Sequence, residues 1–157
     1  MTRSTVLYVL FAMLTLLGGP RGLGAAERFA PIEIRLVAPS GGQTVAVAGA
    51  DRTLQVEREA LLEPADFKTV GEVETVDGKP GFNVGLTAAG ATKYEQVSTD
   101  NVGRTLAIVI DGKVVLEPKI LDPVKAEGFL VTVNTEAEAR HLQQKVRQAI
   151  VRIKSSH

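Results

Sequence analysis

Residues 105–116 read TLAIVI, then DG, then KVVL: two apolar runs joined by two residues. Asp111 and Gly112 both tolerate positive φ, so they suit a type I′ turn, whose twist matches that of the strands it joins. The segment is therefore expected to be a tight antiparallel hairpin. Nearly every residue from Leu106 to Ile110 is apolar. A strand of that kind sits centrally in a sheet and is covered on both faces, so the rest of the chain has to supply layers on either side of it.

Alternation of apolar and polar residues predicts further strands at 32–37, 53–57 and 70–76, and residues 45–48 (VAVA) read as a short one. The first of these, IEIRLV, reads as half-buried. Residues 39–42 form a turn cluster, and 61–67 read as a short helical turn with Pro64 near its start. Residues 77–81 (DGKPG) are expected to turn the chain between strands 70–76 and 82–86 as a hairpin. A last strand is expected at 128–133. Pro118 and Pro123 bracket an extended connection before it.

Two helices complete the reading. Thr87 is a fair N-cap residue for a helix over about 88–98, with Ala88, Ala91, Tyr94 and Val97 at helical spacing and facing the sheet. Gly90 inside that helix costs up to about 1 kcal/mol relative to alanine, so it is expected to mark close packing. The second helix, about 136–153, opens with Thr135 and Glu138 at capping-box spacing. Its stripe is Ala139, Leu142, Val146, Ala149 with Ile150, and Ile153, and its basic end (Arg147, Arg152, Lys154) suits the helix dipole. The expected fold is α+β: a mainly antiparallel sheet with these two helices packed on it, in one domain over 27–157.

Residues 1–26 carry the marks of a secretory signal. Arg3 supplies the positive start, residues 6–17 an apolar run of twelve, and Gly24, Ala25 and Ala26 a small-residue cleavage site before Glu27. Twelve apolar residues fall short of the roughly 20 needed to cross a bilayer. The expectation is an exported protein, periplasmic or extracellular, with no membrane span after cleavage. There is no cysteine, so the fold has to stand on its core without disulfides. Residues 1–26 hold two bases and no acid; without them sixteen bases face eighteen acids, a net of −2. That balance gives no electrostatic footprint for nucleic acid.

No set of residues has the spacing of a catalytic or metal site. His141 has Gln144 and Lys145 where a second ligand at i+3 or i+4 would stand, so it reads as a surface residue. Neither Ser40 nor Ser98 lies in a G-x-S-x-G elbow. Glu72 and Glu74, two apart on an expected strand, share a face and could form an acid–base pair, but solvent-facing positions opposite Val73 account for them with less effort. Asp111 belongs to a turn. Gly41 and Gly42 precede a strand rather than a helix, which makes a poor phosphate loop. No enzyme activity, cofactor or metal is expected.

The stretch from Phe82 onward resembles the head subdomain of the first periplasmic domain of SecD and SecDF protein-export subunits. The matching positions are Leu86 and Thr87, Gly90 and Ala91, Tyr94, Thr99, Asn101, Gly103, the run from Leu106 to Val109, Asp111 and Gly112, Val114 and Pro118. Gly128 opens the closing strand of the pattern, and residues 135–142 match its final helix. Residues 32–37 and 61–67 fit the earlier part more loosely. The resemblance implies a part in protein export, through contact with emerging polypeptide. Proton-driven pulling in that family needs transmembrane helices, a ferredoxin-like base and a partner subunit, none of which this sequence contains, so a complete export motor is not expected. The expected partner is a polypeptide or an envelope protein, including the export machinery itself, met at the Asp111–Gly112 turn or the 118–123 connection. A structural subunit of an envelope complex and an envelope enzyme with an unrecognised site are the alternatives.

Overall fold

A computed structural model describes residues 29–156; the expected signal at 1–26 lies outside them. In chain order the strands and helices are β1 (Ile32–Leu36), β2 (Gln43–Val47), β3 (Thr53–Val56), β4 (Phe67–Val70), β5 (Glu74–Val76), β6 (Lys79–Leu86), α1 (Ala88–Asp100), β7 (Leu106–Ile110), β8 (Lys113–Leu116), β9 (Gly128–Thr132) and α2 (Glu136–Ser155). The expected α+β class holds, with the strands divided between two sheets rather than one.

The hairpin of β7 and β8 is built as its sequence requires. Asp111 and Gly112 sit at φ 52° and 75°, and every residue of β7 is buried. The strand order is β1-β7-β8-β2-β3. All neighbours in it are antiparallel except β8 and β2. The sheet then curls until its two ends meet. The Ala38 amide donates to the Gln55 carbonyl (2.8 Å) and the Glu57 amide to that of Leu36 (2.8 Å). Inside the curl lies a small apolar cluster of Val45, Val56, Ala107, Val109 and Val114. The opposite face of β1 and β7 (Ile32, Ile34, Leu36, Leu106, Ile108, Ile110) joins the main core.

Closure of this sheet overturns the half-buried reading of residues 32–37. Glu33 and Arg35 are 3% and 9% exposed, because the return of β3 covers the face they occupy. They are accommodated as a pair: Arg35 Nε donates to Glu33 Oε1 at 2.7 Å. The guanidinium also donates to the carbonyls of Glu57 and Arg58 and lies 5.0 Å from the centre of the Phe29 ring.

The second sheet is built on β6. β9 pairs along one of its edges, while β4 and β5 lie end to end along the other, since Val84 faces both Val70 and Phe129, and Gly81 both Glu74 and Thr132. Its turn is a second Asp-Gly pair, Asp77 and Gly78 at φ 51° and 78°. Residues 79–81, expected in the turn, are therefore strand. The expected single strand 70–76 is broken at 71–73 because α2 side chains claim that stretch. Gln143 Nε2 donates to the Gly71 carbonyl (2.7 Å), and Arg147 Nη2 to Glu72 Oε1 (2.9 Å).

Both helices begin at the expected caps. The Thr87 hydroxyl accepts from the Gly90 amide (3.0 Å) and that of Thr135 from the Glu138 amide (3.2 Å). The buried face of α1 is Gly90, Tyr94 and Ser98, flanked by Ala91 and Val97. Ala88, expected on that face, is exposed, since a helical face drifts round the axis from its first turn. α2 buries Ala139, Leu142, Val146, Ala149 and Ile150 as its spacing requires, together with Gln143. At about 1.5–3 kcal/mol for each large aliphatic side chain, that stripe holds α2 against both sheets. No helix among the described residues is long and apolar enough to cross a membrane.

Candidate functional site

The motif residues of the sequence reading fall in four places and do not converge on one cleft. Thr87, Gly90, Ala91 and Tyr94 hold the start of α1 against the short helical turn Pro64–Asp66. The Thr87 amide donates to the Asp66 carbonyl (2.9 Å), and Lys93 Nζ to the Asp66 carboxylate (2.8 Å). Tyr94 is buried, which pushes its phenol up from the usual value.

Asn101 and Gly103 end α1. Asn101 Nδ2 donates to the Val97 carbonyl (2.8 Å). Gly103, at φ 87°, donates its amide to Ile120 (2.7 Å). Pro118 offers its carbonyl to Leu106 (2.9 Å), so the 118–123 connection is stitched down, with Ile120 buried and Leu121 72% exposed. Ser98 supplies a further stitch: it is wholly buried, and its hydroxyl accepts from the Val124 amide at 2.8 Å. Ser98→Ala is expected to cost about 1–2 kcal/mol, because it leaves that amide without a partner; a urea titration measures it, and amide exchange at Val124 should quicken.

Asp111 and Gly112 form the third place. The Asp111 carboxylate lies 3.3 Å from Lys145 Nζ and 3.5 Å from His141 Nε2 on α2. The turn, although Asp111 stays exposed, therefore lies beside a helix. The fourth place is Gly128, at the start of β9, where a Cβ would come within 2.4 Å of the Val84 carbonyl oxygen.

The carboxylates expected to share a strand face are separated. Glu72 lies in the break between β4 and β5, and Glu74 on β5. The Arg147 hydrogen bond, then that of Gln143, hold the Glu72 carboxyl below its usual range. A group depressed in the folded state stabilises above its unfolded value, about 4.3 for Glu, and loses that contribution as pH falls through the folded one. Arg147→Ala is thus expected to lose less stability than the parent chain between about pH 5 and 3, as melting curves across that range would record.

The surface that sequence reasoning missed is the outer face of the second sheet. A groove of about 440 Å³ crosses it, lined by Thr69, Gly71, Asn83, Gly85, Gly128 and Phe129. Its floor is largely main chain. At Gly85 a Cβ would meet the Thr69 hydroxyl at 2.2 Å, so the glycines allow the strands to keep this face bare. The signal was present in the sequence as glycines at 71, 81, 85 and 128, each inside or beside an expected strand. Among the described residues, no group of three or more His, Asp or Glu side chains is placed to hold a metal ion.

A family model described as the SecDF P1 head subdomain matches residues 42–151. Similar proteins include the protein translocase subunit SecD of Acidaminococcus fermentans, 28% identical over 116 residues that make up 71% of this chain and 28% of that protein. SecD of Aquifex aeolicus is 33% identical over 87 residues, 55% of this chain and 17% of the relative. The chain thus spans less than a third of the length of these two relatives. Among solved structures, SecDF in its super-membrane-facing form aligns with a TM-score of 0.63 at 23% identity, over 76% of this chain and 19% of its own. A structure of the membrane component SecDF that enhances protein export aligns at 0.61 and 24%, over 76% and 63%. At such identities these likenesses show the fold.

Proposed function

The chain belongs to the SecDF P1 head subdomain family, and from that premise we propose that it is a non-catalytic, exported domain that holds segments of polypeptide in the service of protein export. Residues 1–26 direct it across the membrane and are removed, and 27–157 act as one domain on the periplasmic or outer side. The observation that supports this reading is the groove over the second sheet. It is shallow, floored by main chain and bordered by polar side chains (Asn83, Thr69). Such a surface suits a long ligand of variable sequence better than a small molecule, which is held in a deep pocket with a few convergent polar groups.

The test is fluorescence anisotropy of labelled, unfolded preprotein segments titrated with the purified chain. Saturable binding in the micromolar range that survives moderate salt is expected. No binding up to about millimolar protein, a free energy of only about −4 kcal/mol, would remove polypeptide holding from consideration and leave a folded envelope protein as the partner to seek.

A further inference from the structure

We propose that the outer edge of β9 is a strand-addition site for an extended, uncharged polypeptide segment; this rests on the polypeptide-holding reading above and specifies where and how the segment docks. The Glu127 carbonyl accepts from Leu86 and the Val133 amide donates to Pro80, so residues 127, 129, 131 and 133 turn their main-chain groups toward β6. By the two-residue repeat of a strand, the amides and carbonyls of Gly128, Leu130 and Thr132 face away. Among the described residues, none of these groups takes part in a hydrogen bond.

Of the other sheet edges, that of β5 is only three residues long and carries Glu74, a charge that guards it, and the rest are closed. Lys154 Nζ and Gln143 Nε2 donate to the Lys68 and Gly71 carbonyls along β4 and the break beside it. The ends of the first sheet meet each other. β9, half-buried apart from buried Val131, also lacks charge, proline or a bulge, the usual guards of a sheet edge. Its sequence is GFLVT, and its register against β6 is unbroken from Gly128 to Thr132.

A row of outward amides and carbonyls at alternate residues is complementary to one thing, another extended main chain. Without charge on the strand, nothing there repays the desolvation of a charged segment. The groove adjoins the same strand, reaching Gly128 and Phe129, so a side chain opposite Gly128 would have a bare surface over Gly85 to lie on. A second copy of the chain would have only its own β9 to offer. The joint would then run along five residues, about 17 Å, far short of the roughly 1,200 Å² that a stable pair of folded bodies buries. An unfolded segment avoids that limit, because it can follow the twisted edge and place alternate side chains on both faces.

The test uses the full chain and a twelve-residue uncharged peptide of alternating valine and threonine, with a version N-methylated at alternate residues and a Leu130→Pro variant. Residue 130 gives its amide to no partner, so proline there removes an outward donor and leaves the β6 ladder whole. Expected are binding of the plain peptide, weakening of at least tenfold by N-methylation or by L130P, and slowed amide exchange at 128, 130 and 132 in the complex. If L130P does not fold, the methylated peptide decides the question on the unaltered protein. Equal binding of both peptides, or no new protection at those amides, would overturn strand addition while polypeptide holding stands. No binding of this peptide or of unfolded preprotein would overturn both. Concentration-dependent dimerisation in sedimentation, abolished by L130P, would assign the edge to a second copy instead.

Discussion

Arg35→Met is expected to destabilise the chain by about 3–5 kcal/mol, the cost of removing one partner from a buried ion pair. That corresponds to a fall in melting temperature of roughly 10–15 °C. The loss has two sources. Glu33, 3% exposed, would be left as an uncompensated carboxylate under the curl of the first sheet. The carbonyls of Glu57 and Arg58 would lose the donor that ties the end of β3 to β1. The sources are separable. In the double variant Glu33→Leu, Arg35→Met the stranded charge is gone, and only the carbonyl part, about 1–2 kcal/mol, should remain. Chemical denaturation of the three proteins checks this. A single variant as stable as the parent would mean that the pair contributes nothing.

Gly90→Ala carries an expectation whose sign opposes helix propensity. In an exposed helix interior the change stabilises by up to about 1 kcal/mol. Here the new Cβ would stand 2.3 Å from the Asp66 carbonyl oxygen and 3.0 Å from its Cβ. The obstacle is main chain and cannot swing aside. That carbonyl also holds the Thr87 amide, so a shift of the Pro64–Asp66 turn disturbs the helix cap. A net loss of about 2–3 kcal/mol is expected. A urea midpoint higher than that of the parent would show that the contact relaxes freely.

What was legible in the sequence is what local chemistry decides. The two Asp-Gly turns need positive φ at both positions, Thr87 and Thr135 sit where a helix needs a cap, and the spacing from Ala139 to Ile150 specifies a stripe whatever lies opposite. Even so, Pro80 and Gly81 read as turn residues, although the two-residue loop before them has already reversed the chain and Lys79–Gly81 belong to β6. Features made by distant partners were not legible. Glu33 and Arg35 alternate with isoleucine and leucine as solvent-facing residues would, and only the return of β3 buries them. The break at 71–73 is imposed by Gln143 and Arg147, more than 70 positions away. For the candidate surface, glycines at 71, 81, 85 and 128 each read as local irregularities. They become one bare face only when β4, β6 and β9 are set side by side.

The pairing of β1 with β7 also governs when the chain can fold. Leu36 lies opposite Leu106, seventy positions further on, and both belong to the main core. A chain delivered amino-terminus first would have to hold β1 without its partner until the hairpin had emerged. Contacts at such separation make the search for the native pairing slow. Folding of the first sheet therefore waits on the second half of the chain, and β1 stays without its partner strand until then.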